Sequence, residues 1–264
     1  MKLTATRTDA VRKTTLPNGL RIVTEQIPHV RSISVGIWVD AGSRHEAAEQ
    51  GGISHFIEHM VFKGTETRSA EDIACSVDSL GGHLDAFTTK ETVAFTAKVL
   101  DQHLPAALDV VSDLVLHPAF REDDIEKEKG VVLEELKMDE DNPNYLLHEV
   151  FTQGFWNGHP MARPIIGSQQ TITRFAREQL LEFFRQTYNS SNLIVTAAGN
   201  LEHTRFVKEV EKRIGSLVSQ PARQPDTAPE AQPAVMLHDK PSLEQIHIFL
   251  GLPTYAITNS KRYI

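Results

Sequence analysis

Two histidines and a glutamate lie within five consecutive residues, at His55, Glu58 and His59. On an α-helix, positions three and four residues apart share one face, so a single turn directs all three side chains to the same side. Imidazole nitrogens with this spacing bind zinc, and a glutamate between them can take a proton from the attacking water, as in the inverted zincin motif His-x-x-Glu-His. The spacing therefore predicts a hydrolytic metal site on a helix.

The other side of this helix is apolar, which predicts that the helix is buried. The residues concerned are Phe56, Ile57, Met60 and Val61. Buried imidazole and carboxylate groups need partners because they lose contact with water. A structural alternative is that each histidine bonds to backbone groups in the core, but three such residues in this order favour the metal site.

A catalytic zinc site usually has three protein ligands, so a third must come from elsewhere in the chain. The segment after Glu122 has helical periodicity and places Glu128 and Glu135 within its apolar stripe, where an unpaired carboxylate is costly. Glu134 falls toward the polar side. Either Glu135 or Glu128 is therefore the ligand, and the other orients it or a histidine. The structural alternative is a charged surface helix whose glutamates bind nothing.

Composition sets limits on the class of protein. The chain has 264 residues, of which 40% are hydrophobic, and its net charge is −8. Such a chain can form a substantial core, and its acidic balance argues against nucleic-acid binding, for which a basic face is usual. The one cysteine, Cys75, is predicted to be a packed thiol. Because the sequence has neither a long apolar run nor a signal-peptide core, we expect a soluble, cytoplasmic protein with no membrane partner.

Hydrophobic periodicity predicts an α+β domain followed by an exposed linker. Predicted strands cover 11–16, 20–26, 33–39, 84–88, 92–100 and 192–198. One predicted helix contains the two histidines. The other predicted helices cover 69–80, 102–117, 121–138, 145–153, 173–188 and 202–217. Repeated prolines between Ser219 and Pro233 predict the linker. Two further strands are predicted at 235–238 and 245–252, and they either complete the first domain or belong to a longer protein.

The motif and the later glutamate resemble those of the M16 metallopeptidases, the insulinase and pitrilysin family, particularly its bacterial and mitochondrial-processing-peptidase-like branch. Glu135 follows His59 by 76 residues, as the ligand glutamate does in that branch. Other segments that resemble the family are Leu16-Pro17-Asn18-Gly19-Leu20, Gly42-Ser43-Arg44-x-Glu46, Lys63-Gly64-Thr65, Leu80-Gly81-Gly82, Asp85-Ala86-Phe87-Thr88 and His159-Pro160 before Gly167. Together they cover residues 12–217 almost continuously.

The resemblance implies a fold and a set of roles. The fold would be α+β, with helices packed on a mixed, mostly antiparallel sheet. His55, His59 and Glu135 would bind one Zn²⁺ per chain, and Glu58 would be the general base. Glu128 would be an outer carboxylate that orients a ligand.

The resemblance also implies how a peptide would be held. The strand centred on Ala86, Phe87 and Thr88 would pair with the main chain of an extended substrate. The family's catalytic unit has two homologous domains that face each other, and the second contributes an Arg and a Tyr to the substrate site. On this basis residues 1–217 are the zinc-binding domain, 218–233 the linker and 234–264 the start of a truncated second domain. That domain in cis, and a partner subunit or a second copy, are the expected protein partners.

The predicted function is that of a zinc metalloendopeptidase acting on extended oligopeptides or unfolded segments. One alternative is a non-catalytic member that binds peptides or assembles with an active subunit, although such members usually lose motif residues that this chain retains. Another is a metal-dependent hydrolase or lyase acting on a small molecule, which the peptide-pairing strand at 84–88 disfavours.

Overall fold

The computed structural model describes residues 10–221, 227–241 and 244–263. The predicted domain limits at residues 1 and 264, and 222–226 of the predicted linker, lie outside these ranges. The strands are β1 (Val11–Thr15), β2 (Arg21–Gln26), β3 (Ser32–Val39), β4 (His83–Thr88), β5 (Val93–Leu100) and β6 (Leu193–Gly199). The helices are α1 (Ile53–Val61), α2 (Ala70–Asp78), α3 (Leu104–Leu116), α4 (Glu122–Asp141), α5 (Pro143–Phe155), α6 (Gln169–Ile172), α7 (Arg177–Thr187) and α8 (His203–Ile214).

The six strands form one sheet in the order β1-β2-β6-β3-β5-β4. All neighbouring strands are antiparallel except β2 and β6, which run parallel. The α+β class and the mixed, mostly antiparallel sheet are therefore confirmed. Since β6 lies between β2 and β3, a strand from the end of the domain's sequence pairs with strands from its beginning.

One face of the sheet forms the core, as the period-2 pattern of β3 predicts. Ile33, Val35 and Ile37 are at most 1% exposed, whereas Ser34 between them is exposed. Helices α1 and α3 pack against β5. α1 also contacts β4, α4 and α7. The helix that carries the two histidines therefore lies between the β4 edge of the sheet and α4, which carries Glu128 and Glu135.

Three local predictions were wrong. The helix predicted over 173–188 begins only at Arg177, as α7, because Ala176 is extended and its N–H is capped by the Gln179 side chain. Cys75 is exposed, since Ile73 and Val77 define the buried stripe of α2 and Cys75 points away from them. Residues 235–238 and 245–252 have no strand partner in the described part of the chain and are not strands; Val235 and Leu237 are 90% and 94% exposed.

None of the helices within the described ranges is both long enough and apolar enough to cross a membrane.

Two glycines allow the start of α1 to cross a neighbouring loop closely. Gly52 precedes α1 with φ +93°, and Gly167 has φ +85°. A Cβ on Gly52 would overlap the Ile166 carbonyl oxygen and lie 2.9 Å from the Gly167 Cα, while a Cβ on Gly167 would overlap the Gly51 carbonyl oxygen. Both the backbone conformation and the close approach therefore require glycine.

We expect Gly52→Ala to lower the free energy of unfolding by about 3 kcal/mol or more, because it combines backbone strain with backbone overlap. The control is Gly81→Ala: Gly81 also has a positive φ, +64°, but no atom lies within 4 Å of a Cβ placed there. The free energy of unfolding of Gly81→Ala should fall by only about 1 kcal/mol. Chemical denaturation of both variants measures the difference, and equal losses would contradict the importance of the crossing.

Candidate metal centre

α1 is anchored by one side and presents ionisable groups on the other. Phe56, Ile57 and Met60 are completely buried, which fixes the rotation of the helix against the sheet. His55, Glu58 and His59 consequently point toward β4 and α4. The predicted division of this helix into an apolar and a polar side is thus what the structure contains.

Three donor groups converge between α1 and α4. One ligand atom from each of His55, His59 and Glu135 lies within 4.8 Å of the other two. Glu135 Oε1 is 3.7 Å from His55 Nε2, and Glu135 Oε2 is 3.4 Å from His59 Nε2. Ligands of a tetrahedral zinc ion with bonds of about 2.0–2.1 Å lie roughly 3.4 Å apart. Two imidazoles and one carboxylate at these separations fit a zinc ion, which these three residues would hold.

Glu128 lies behind His59 and away from the other donors. Its Oε1 is 2.9 Å from His59 Nδ1, and its Oε2 is 2.7 Å from Lys63 Nζ. The carboxylate is 3% exposed. Burial acts to raise the pKa of Glu128, but hydrogen bonds from His59 and Lys63 outweigh it and lower the pKa. Of the two glutamates that the sequence left as alternatives, Glu135 is the one among the three converging donors, and Glu128 contacts the outer nitrogen of His59.

The two histidines have different electrostatic surroundings. Burial, followed by the proximity of His59, lowers the pKa of His55 to about 4. Burial also acts to lower the pKa of His59, but hydrogen bonds to Glu128 and Glu135 raise it to about 9. The hydrogen bond from His59, against the effect of burial, lowers the pKa of Glu135. Burial therefore favours the neutral form of His55, whereas two carboxylates favour the protonated form of His59.

Glu58 is held by the edge strand. Thr88 Oγ1, at the end of β4, donates a hydrogen bond of 2.6 Å to Glu58 Oε2. Burial raises the pKa of Glu58, and the charges of Glu135 and Asp85 act in the same direction. A carboxylate with a raised pKa beside a metal site is suited to accept and release a proton.

The structure places the predicted peptide-pairing residues at the sheet edge. β4 is the terminal strand beyond β5. Ala86 packs against the core, Phe87 is 40% exposed and its ring contacts Trp38 at 5.7 Å, and Thr88 contacts Glu58. The substrate-pairing role of these residues stays a prediction.

Two residues that support the site appeared in the sequence analysis only as parts of family-like segments, without a role of their own. Glu46, which is 4% exposed, accepts hydrogen bonds from the backbone N–H groups of Gly52 and Ser54 at 2.7 and 2.8 Å. It thereby caps the start of α1. Burial raises the pKa of Glu46 to about 7, against the effect of those hydrogen bonds. Lys63 lies four residues after His59 and neutralises Glu128; this spacing is the signal from which its role could have been found.

Comparisons with known proteins agree with the arrangement of the site. The family model described as "Insulinase (Peptidase family M16)" matches residues 21–169, and the model described as "Peptidase M16 inactive domain" matches residues 174–264. The first match contains α1 and α4. The second includes α7, β6 and α8, which are part of the same sheet-based unit.

Similar proteins include uncharacterized zinc proteases from two bacteria. The one from Streptomyces coelicolor is 39% identical over 261 residues, covering 96% of this chain and 57% of that protein. YmxG of Bacillus subtilis is 39% identical over 253 residues, covering 96% of this chain and 61% of YmxG. The chain therefore spans 57–61% of the length of these relatives.

Solved structures confirm the fold. A protease from Helicobacter pylori superposes with a TM-score of 0.77 at 24% identity, over 84% of this chain and 54% of that one. The periplasmic protease PqqL of Escherichia coli also gives a TM-score of 0.77, at 19% identity, over 84% of this chain and 25% of that one.

We expect Glu46→Ala to destabilise the protein by about 2–3 kcal/mol, because it leaves two buried N–H groups at the start of α1 without an acceptor. Glu49→Ala is the control, since Glu49 is exposed nearby and its loss should cost less than about 0.5 kcal/mol. Chemical denaturation measures the change in the free energy of unfolding of both variants. Hydrogen exchange of the α1 amides should accelerate selectively in Glu46→Ala, and uniform acceleration along the chain would contradict the capping role.

Proposed function

The chain belongs to the M16 (insulinase) family of peptidases, and on this basis we propose that it is the zinc-binding part of a metalloendopeptidase. Its substrates would be extended oligopeptides and unfolded segments. The observation that carries the proposal is the convergence of donor atoms from His55, His59 and Glu135 within 4.8 Å, with Glu58 on the same side of α1. One Zn²⁺ would be held by these three side chains.

The zinc ion and Glu58 would have separate roles in peptide hydrolysis. Zinc, when bound, polarises the attacking water and the scissile carbonyl. Glu58 is the general base: Thr88 occupies its Oε2, which leaves Oε1 to take the proton of the water. The same carboxyl group then passes the proton to the leaving amine nitrogen, which would otherwise depart as an unstable anion.

Glu128 and Lys63 would fix the orientation of the His59 ring and the nitrogen that it presents to a metal. Glu128 accepts a hydrogen bond from Nδ1 of His59, so the lone pair of the neutral ring is on Nε2, facing Glu135. Lys63 keeps Glu128 ionised through its contact with the second oxygen. These two residues act through His59 and would not touch the substrate.

β4 is suited to hold the peptide. Thr89 N donates to Thr92 O, so residues 89 and 92 form a hydrogen-bonded pair in the β4–β5 ladder. Because such pairs alternate along an antiparallel ladder, Leu84, Ala86 and Thr88 direct their N–H and C=O groups away from β5. These groups lie on the free edge, where an extended peptide could add as a further strand.

The remainder of the substrate site would come from a second domain. We propose residues 1–217 as the zinc-binding domain, 218–233 as the linker and 234–264 as the beginning of a second, homologous domain that faces the site. Exposed apolar residues in the last segment, such as Ile246 and Ile248, support the proposal because they are 92% and 85% exposed and would be buried by further strands.

We expect about one zinc per folded chain, lost or strongly weakened in His59→Ala and Glu135→Gln, because each removes one of three ligands. Elemental analysis of the purified proteins gives the stoichiometry. Glu134→Gln is the matched control: Glu134 is adjacent in sequence but exposed, and it contacts Lys137. A folded wild-type chain that binds no zinc would refute the proposal and favour a non-catalytic peptide-binding or assembly subunit.

Glu58→Gln should retain zinc but reduce the kcat for cleavage of an unstructured peptide by at least about 10²-fold, since it removes the general base. Thr88 Oγ1 can still donate to the amide oxygen, so the position of the side chain is preserved. Peptide turnover measured together with zinc content checks this. Full turnover in the variant would exclude Glu58 as the base.

A further inference from the structure

One backbone donor on the free edge of β4 is already engaged by a side chain. Asp85 Oδ1 accepts a hydrogen bond of 3.0 Å from the N–H of Ala86. Asp85 is exposed, and its own carbonyl oxygen accepts from the Thr96 hydroxyl on β5. The carboxylate therefore lies along the outer edge of the sheet instead of extending into solvent.

The position of this bond follows from the ladder. Asp85 pairs with Thr96 and Ala86 with Phe95. Since residues 89 and 92 form a hydrogen-bonded pair, alternation makes Asp85 and Thr96 another such pair, and the N–H of Ala86 points away from β5. Asp85 thus covers a donor in the middle of the strand, two residues before Thr88, which holds Glu58.

We propose that Asp85 is a latch on the substrate edge: its carboxylate occupies the Ala86 N–H in the free protein, and a carbonyl oxygen of an extended peptide must displace it. The proposal rests on the proposed function, because it concerns the strand to which the peptide would add. It assigns to Asp85 a role in setting peptide affinity, separate from zinc binding and from the general base.

The latch has two physical consequences. It satisfies the backbone donor with a charged side chain, which hinders non-specific strand addition at an exposed edge. It also makes peptide binding an exchange of one acceptor for another at Ala86, so the affinity for a peptide is lower than the open edge would give. Phe87 is not affected, because its side chain lies on the sheet face against Trp38.

Amide hydrogen exchange in the free, metal-free protein tests the latch without any ligand. The Ala86 amide should exchange at least about 3-fold faster in Asp85→Ala than in wild type, because the acceptor is lost. Asp85→Asn retains an acceptor oxygen but removes the charge, and it should stay near wild type. If Asp85→Asn exchanges as fast as Asp85→Ala, or if neither differs from wild type, the latch is refuted.

Peptide affinity tests the consequence. The probe is an uncharged decapeptide with blocked termini, titrated by fluorescence anisotropy against zinc-loaded protein carrying Glu58→Gln to prevent cleavage. On this background Asp85→Ala should bind about 3–10-fold more tightly, and Asp85→Asn within about 3-fold of the parent. Glu211→Ala, an exposed change on α8, controls for the loss of one negative charge.

The outcomes separate the latch from the proposed function. Faster Ala86 exchange and tighter binding in Asp85→Ala together support the proposal. Equal affinities in all variants overturn it, while peptide binding itself leaves the proposed function intact. Absence of peptide binding in every variant, with one zinc bound, overturns both the latch and the assignment of β4 as the substrate strand.

Discussion

The site depends on the burial of α1. Its apolar side fixes the helix against the sheet, so the ionisable groups on the other side must find partners within the protein. Glu58 finds its partner on β4, whereas His55 and His59 find carboxylate partners on α4. A charge between two packed layers is stable only with such partners, and the requirement sets the positions of the surrounding elements as well as of the ligands.

The backbone at the start of α1 is also buried, and its polar groups likewise need partners within the protein. Gly52 and Gly167 let two loops cross at a distance that no side chain permits. Glu46 then supplies the acceptors that the first N–H groups of the helix lack. These contacts fix the position of the backbone immediately before His55, which follows Ser54 directly.

The sequence predicted the parts of the site that depend on local geometry. The His-x-x-Glu-His spacing determines a common helix face, and helical periodicity places Glu128 and Glu135 in one stripe. It could not choose between these glutamates without the family resemblance, because the choice depends on which turn of α4 lies beside His55. The contact of Thr88 with Glu58 was likewise unpredictable, since it joins elements whose relative placement is set only by packing. The errors have related causes: the exposure of Cys75 reflects which face of α2 meets the sheet, and strand formation after residue 234 requires a neighbouring strand that no local pattern supplies.

The central position of β6 affects how the chain can fold during synthesis. β6 pairs with both β2 and β3, yet it is made more than 150 residues after β3 ends. Until residue 199 has left the ribosome, the β1–β2 hairpin and the three strands β3, β5 and β4 have no strand to connect them. Their inner edges stay open, and such edges promote aggregation. Translation therefore delivers every candidate zinc ligand before the strand that closes the sheet, so the nascent chain holds its metal-binding groups in an incomplete scaffold.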